Sequence, residues 1–153
     1  MKSTVEMDNE IKKAKDWDEL IKIIKDNPVP TFGQRFVEIC DKYKISSATA
    51  QLRAETTFAI GKTSFYYYLD GRRKPKKEVV IKMGLAIGAN VEEINELLKL
   101  AKHKELYSKS QEDAVIIFAI KNKKIKEFKD LQEMDAVLAG FKSKMKFYVE
   151  DNE

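Results

Sequence analysis

The chain has 153 residues, 43% of them hydrophobic, with 29 Lys and Arg against 25 Asp and Glu for a net charge of +4. That length suits one domain with its own core or a small domain with extensions. No apolar run approaches the roughly 20 residues needed to cross a bilayer, MKSTVEMDNEIKK lacks the apolar stretch of a secretion signal, and the lone Cys40 and lone His103 exclude both a disulfide framework and a Cys/His zinc set, so a cytoplasmic chain with no membrane partner is expected.

Helical periodicity dominates from the N-terminus onward. Asp16 with Glu19 reads as a capping box for a first helix, whose apolar stripe is Trp17, Leu20, Ile21 and Ile24. Pro28 and Pro30 stop it and mark a boundary. Thr31 with Gln34 caps the next helix, which places Phe32, Phe36, Ile39, Cys40 and Tyr43 on one face. Cys40 is therefore expected to be a packed thiol. Ser46 or Ser47 opens a short helix through about Glu55, Thr56 to Gly61 forms a turn, and Thr63 to Leu69 makes another short helix closed by Asp70-Gly71. Lys77 to Ile87 follows with Val80, Met83 and Ile87 inward and Gly88 as its stop. Asn90 with Glu93 caps a helix striped by Val91, Ile94, Leu97, Leu98 and Ala101. His103, between two lysines, reads as a solvated end-of-helix residue. Ser110 with Asp113 starts Ala114 to Lys121, where AVIIFAI is apolar on all sides and favours helix over strand only because its neighbours are helical. Phe128, Leu131, Met134, Leu138 and Phe141 repeat at helical spacing. The expected fold is all-α, with about eight helices and short connections.

The charge is concentrated. From Ile60 to Lys82, seven basic residues (Lys62, Arg72, Arg73, Lys74, Lys76, Lys77 and Lys82) face two acids, Asp70 and Glu78, leaving +5, while Glu150, Asp151 and Glu153 gather at the C-terminus. Such a patch attracts a polyanion, although a surface helix kept soluble by lysine looks similar. Gly61-Lys62-Thr63 matches the tail of a phosphate-binding loop, but Thr56 stands where that loop needs its first glycine and no flanking strand is present. Three adjacent residues span about 300° of a helix, so Tyr66, Tyr67 and Tyr68 cannot all be buried. Tyr68 is the one expected in the core.

Two short helices joined by a tight turn and followed by a basic loop have the layout of a helix-turn-helix unit. Residues 31–102 resemble the helix-turn-helix domain of Cro/C1-type (lambda-repressor-like, XRE family) regulators. The resemblance is carried by Ile60-Gly61-Lys62-Thr63-Ser64-Phe65, by Tyr68-Leu69-Asp70-Gly71-Arg72-Arg73-Lys74-Pro75, and by Val80-Ile81-Lys82-Met83 through Ala86-Ile87-Gly88. It continues more weakly to about Phe141, because LLKLAKHKELYSKSQEDAVIIFAI is similar to a helical extension found on many Gram-positive members; residues 1–30 lie outside it. The resemblance implies a lambda-repressor-like bundle with an N-terminal helical extension (1–30), a DNA-binding domain (31–102) and a C-terminal helical extension (103–153).

It also implies a sequence-specific regulator that reads double-stranded DNA in the major groove with the helix around 62–69. Lys62, Thr63 and Tyr67 occupy positions that touch bases in that family, with Ser64 and Tyr66 as further candidates on the same side. Lys62 suits guanine O6 or N7, Thr63 a thymine methyl, and Tyr67 offers a hydroxyl. Arg72, Arg73, Lys74 and Lys77 are expected on backbone phosphates, as is Ser47 through its hydroxyl and helix N-terminus. A homodimer is expected, contacting through Ala114 to Ile120 and Phe128 to Phe141; the alternative is that both segments are monomer core.

A competing reading is a protein-interaction adaptor or inhibitor on the same scaffold, with Tyr66, Tyr67 and the N-terminal helix, or the C-terminal extension, as its contact surface. Exposed tyrosines also stack on single-stranded RNA, but no four-stranded platform accompanies them. No carboxylate pair, nucleophile with base, metal-ligand set or cofactor motif stands out, so neither an enzyme nor a cofactor is expected.

Overall fold

The structure, a computed structural model, describes residues 2–148; Glu150, Asp151 and Glu153 lie outside the described residues, as does the side chain of Phe128. Among the described residues the protein is all-helical, in the order α1 (Thr4–Lys13), α2 (Trp17–Asp26), α3 (Phe32–Lys42), α4 (Ser47–Phe58), α5 (Lys62–Asp70), α6 (Lys77–Ala86), α7 (Val91–Leu100), α8 (Gln111–Lys121) and α9 (Phe128–Gly140). AVIIFAI is thus helix. None of the described helices is long and apolar enough to cross a membrane.

The chain divides into two units, one up to Pro30 and the other from Thr31 onward. In the first, α1 packs on α2, and no residue of either helix is buried. Ser3 caps α1 and Asp16 caps α2, each side chain accepting the amide hydrogen three residues on. The Asp16 box is only half formed, because the Glu19 carboxylate accepts from the amide of Lys15 instead of that of Asp16. The apolar stripe of α2 is an exposed one: Trp17 is 78% accessible, and Ile21 and Ile24 are exposed too.

In the second unit capping boxes of Thr31 with Gln34 and Asn90 with Glu93 start α3 and α7. Ser46 is the cap of α4, leaving Ser47 as its first helical residue, and Ser110 caps α8. The fully buried layer runs through Phe36, Ile39, Phe65, Ile81, Met83, Ile94, Leu97, Leu98, Ile116, Leu131 and Phe147. Cys40 lies in this layer, and burial, with Asp41 a lesser cause, pushes its thiol up to about 11, so it packs as a small hydrophobe. The helices α4, α6 and α7 pack in succession, α3 lies on α5 and α7, and α9 reaches back to α4.

The expected turn from Thr56 to Gly61 is shorter than the sequence suggested. The helix α4 continues to Phe58, and Ala59 ends it in the left-handed region at φ 56°, with the Ile60 amide donating to the Ala54 carbonyl at 3.0 Å. Only Ala59-Ile60-Gly61 then separate α4 from α5. The contact of α3 with α5 is made at a glycine: a Cβ on Gly33 would stand 1.9 Å from the Leu69 carbonyl oxygen, so no other residue allows this approach. Beside it the rings of Phe32, Phe36 and Phe65 form a row with centroids 6.3 and 5.8 Å apart. These contacts set where α5 stands.

Candidate nucleic-acid interface

Phe65 points into the core from the middle of α5, with Tyr68 and Leu69 packed half-buried against it. A helix anchored on that side must present its other side outward. Lys62, Thr63 and Tyr66 are accordingly exposed, while Ser64 and Tyr67 are half-buried. Gly61 precedes Lys62 as the N-cap and has no side chain to occupy the first amides of the helix. Ser47 is exposed at the start of α4.

At the far end of α5 Gly71, at φ 84°, turns the chain out of the helix, and the basic loop folds back along it. The guanidinium carbons of Arg72 and Arg73 lie 5.1 and 5.6 Å from the ring centroid of Tyr67. Arg73 Nη1 donates to Ser64 Oγ at 2.8 Å, and Arg72 Nε lies 3.2 Å from Asp70 Oδ2. Cation and ring contacts at exposed sites are each worth only about 0.5–1 kcal/mol, and an exposed ion pair no more. Both guanidinium groups are thus held only weakly by these partners. Lys74 and Lys76 are exposed beside them.

The loop itself is pinned. Pro75 is buried, and His103 Nε2–H donates to its carbonyl oxygen at 2.8 Å. His103 is therefore a half-buried anchor where the sequence suggested a solvated residue.

Two basic residues leave the patch. Lys77 Nζ donates to Asp113 Oδ1 at 2.9 Å, while Asp113 Oδ2 accepts from the Tyr107 amide and the Asp113 amide donates to Ser110 Oγ. The charge of Lys77 is thereby offset by a buried carboxylate. Lys82 is 5% exposed, and burial lowers its pKa, with Asp135 and Glu78 opposing that shift. The surface field comes from Lys62, Arg72, Arg73, Lys74 and Lys76.

Sequence reasoning read Asp113 only as a cap partner and missed the ties that hold the site from behind. The strongest is Glu93, 3% exposed, which accepts from Tyr43 Oη at 2.6 Å, Lys42 Nζ at 2.9 Å and the Asn90 amide at 3.0 Å. Arg35 adds a two-pronged grip on Glu96 at 2.9 and 3.1 Å. Together they fasten α3, which carries Gly33, to α7. Among the described residues no cluster of three or more His, Cys, Asp and Glu is placed to hold a metal ion.

Compared with protein-family models, with curated proteins and with solved structures, the chain matches none.

Proposed function

We propose that the protein is a non-enzymatic, sequence-specific regulator of the Cro/C1 type that binds double-stranded DNA, entering the major groove with the start of α5. The observation that carries this reading is the pairing of an open, uncapped helix start bearing Lys62 and Thr63 with a row of exposed cations, Arg72, Arg73 and Lys74, at the other end of the same helix. Lys62 bonds guanine O6 or N7, Thr63 meets a thymine methyl, and Tyr66 reaches a base or phosphate through its hydroxyl. Arg72 and Arg73 leave the Tyr67 ring for phosphates, which frees Tyr67 and Ser64 for contacts of their own. Ser47 adds a phosphate contact from the start of α4.

Selection of bound duplexes from a random pool, followed by competition with unrelated DNA, tests this. Enrichment of a defined motif, relaxed at one position by Lys62→Ala, is the expected outcome. A folded protein that enriches nothing overturns the reading. The exposed stripe of Trp17, Ile21 and Ile24 favours a second reading, a protein-interaction adaptor that binds through its N-terminal helices. In that case Trp17→Ser abolishes partner capture while Arg72→Ala and Arg73→Ala leave it intact.

A further inference from the structure

The segment that joins α7 to α8, residues 101–110, has no helix of its own, yet its backbone is fastened at several points. Lys102, at φ 66°, turns the chain out of α7, and the His103 amide donates to the Leu98 carbonyl at 2.8 Å. The Leu106 side chain is buried and its amide donates to Asn95 Oδ1 at 2.8 Å. The Tyr107 amide donates to Asp113 Oδ2 and the Ser110 amide to the Tyr107 carbonyl, both at 2.9 Å. The ring of His103 then reaches 28 residues back along the chain to the Pro75 carbonyl. One hydrogen bond thereby sets this connector beside the basic loop that follows α5, and the pair of Lys77 with Asp113 closes the same seam from the start of α8.

The connector carries cations of its own. Lys102, Lys104 and Lys109 are exposed, and among the described residues none of them is in an ion pair. The acids on the two sides of the seam are already engaged: Glu105 with Lys99 at 3.3 Å, Asp113 with Lys77, Asp70 with Arg72, and Glu112 with the Ser143 hydroxyl. Glu78, the remaining one, is half-buried. A fixed backbone bearing unpaired cations, laid against a second basic stretch, suits a chain of phosphates. A polyanion is held by charges set side by side, and a backbone already fastened leaves little ordering for binding to impose.

We infer that the connector between α7 and α8 is a second phosphate-binding segment, in which Lys102, Lys104 and Lys109 grip the sugar–phosphate backbone of the duplex that α5 enters. This rests on the DNA-binding reading and extends it to a part of the chain that reads no bases. The test titrates the full chain with a duplex of unrelated sequence and with its selected duplex, each at several salt concentrations. Lys102→Gln with Lys104→Gln and Lys109→Gln keeps polar side chains at exposed positions. It is expected to flatten the logarithmic salt slope by about 2–3 on both duplexes, at 0.9 for each phosphate released, and to leave the preference between them unchanged. Lys121→Gln with Lys123→Gln and Lys124→Gln removes the same charge from exposed positions at the far end of α8, a helix of 11 residues and so about 16 Å long. That variant is expected to keep the parent's slope. Should the first variant misfold, Lys104→Gln with Lys109→Gln decides, with an expected flattening of about 2. A slope that the connector variants leave unchanged, one that the α8 variant flattens as much, or an altered preference overturns the inference and leaves the reading of α5 standing. A parent chain that binds no duplex overturns both.

Discussion

Glu93 carries its charge in a place where burial alone would drive the carboxyl to take up a proton. Its donors outweigh that burial: the Asn90 amide, Lys42 and Tyr43 hold the pKa below the ordinary glutamate value. A carboxyl depressed in this way adds stability that is present above its unfolded pKa and lost as pH falls through its folded one. Glu93→Gln is therefore expected to cost about 1–3 kcal/mol at pH 7, and urea unfolding at falling pH should show the gap between variant and parent closing as the parent's carboxyl is protonated. Lys82 behaves in the opposite sense. Its lowered pKa means that the folded state gives up the proton before the unfolded state does, so stability rises with pH between the folded and unfolded values. Lys82→Met, which keeps the side chain's length and drops its charge, is expected to raise the melting temperature by a few degrees at neutral pH, about 1 kcal/mol for a chain of this size, and to remove that alkaline gain. Calorimetry at pH 7 and pH 10 checks both.

At the level of the helices, beginnings were far easier to read than ends. Ser46, Thr31, Asp16, Asn90 and Ser110 are N-caps in the structure because a short oxygen three residues before a free amide is a local device. Only α1 was overlooked: TVEMDNEIKK has no apolar stripe, and Ser3 followed by Glu6 was its one signal. Glycine marks an end at Gly71 and Gly88, but Lys44, Ala59, Lys102, Lys123 and Lys142 take the same left-handed conformation with a side chain attached. No residue type announces those. Ala59→Gly relieves that conformation and is expected to stabilise the protein by about 0.5–1 kcal/mol in chemical denaturation. Gly33→Ala is expected to do the reverse, costing about 1–3 kcal/mol by forcing α3 and α5 apart. For α5 itself, exposure of Lys62, Thr63 and Tyr66 followed from Phe65 and Leu69 lying four apart on the inner side. The burial of Lys82 and the pairing of Lys77 with Asp113 did not, since both depend on helices far along the chain.

Within the basic segment from Ile60 to Lys82, the exposed charge gathers in a rim around one helix. Two of the seven cations between Ile60 and Lys82 are withdrawn, one by burial and one by Asp113, and those that remain lie at the two ends of α5. Binding driven by such a rim weakens as salt rises, with a slope near 0.9 on logarithmic axes for each phosphate neutralised. Arg72→Ala with Arg73→Ala is expected to flatten that slope by about 2 on any duplex, while Lys62→Ala lowers affinity for the selected sequence by about 1–3 kcal/mol and leaves unrelated DNA little changed. Titration of both variants at several salt concentrations checks the division of labour. The seat of Leu69 against Gly33 limits how that division can vary. With carbonyl oxygen and α-carbon already in touch, α5 can neither sink deeper nor tilt across its support, and on the proposed DNA-binding reading a drift in target preference is left to exchange of the side chains at its tip.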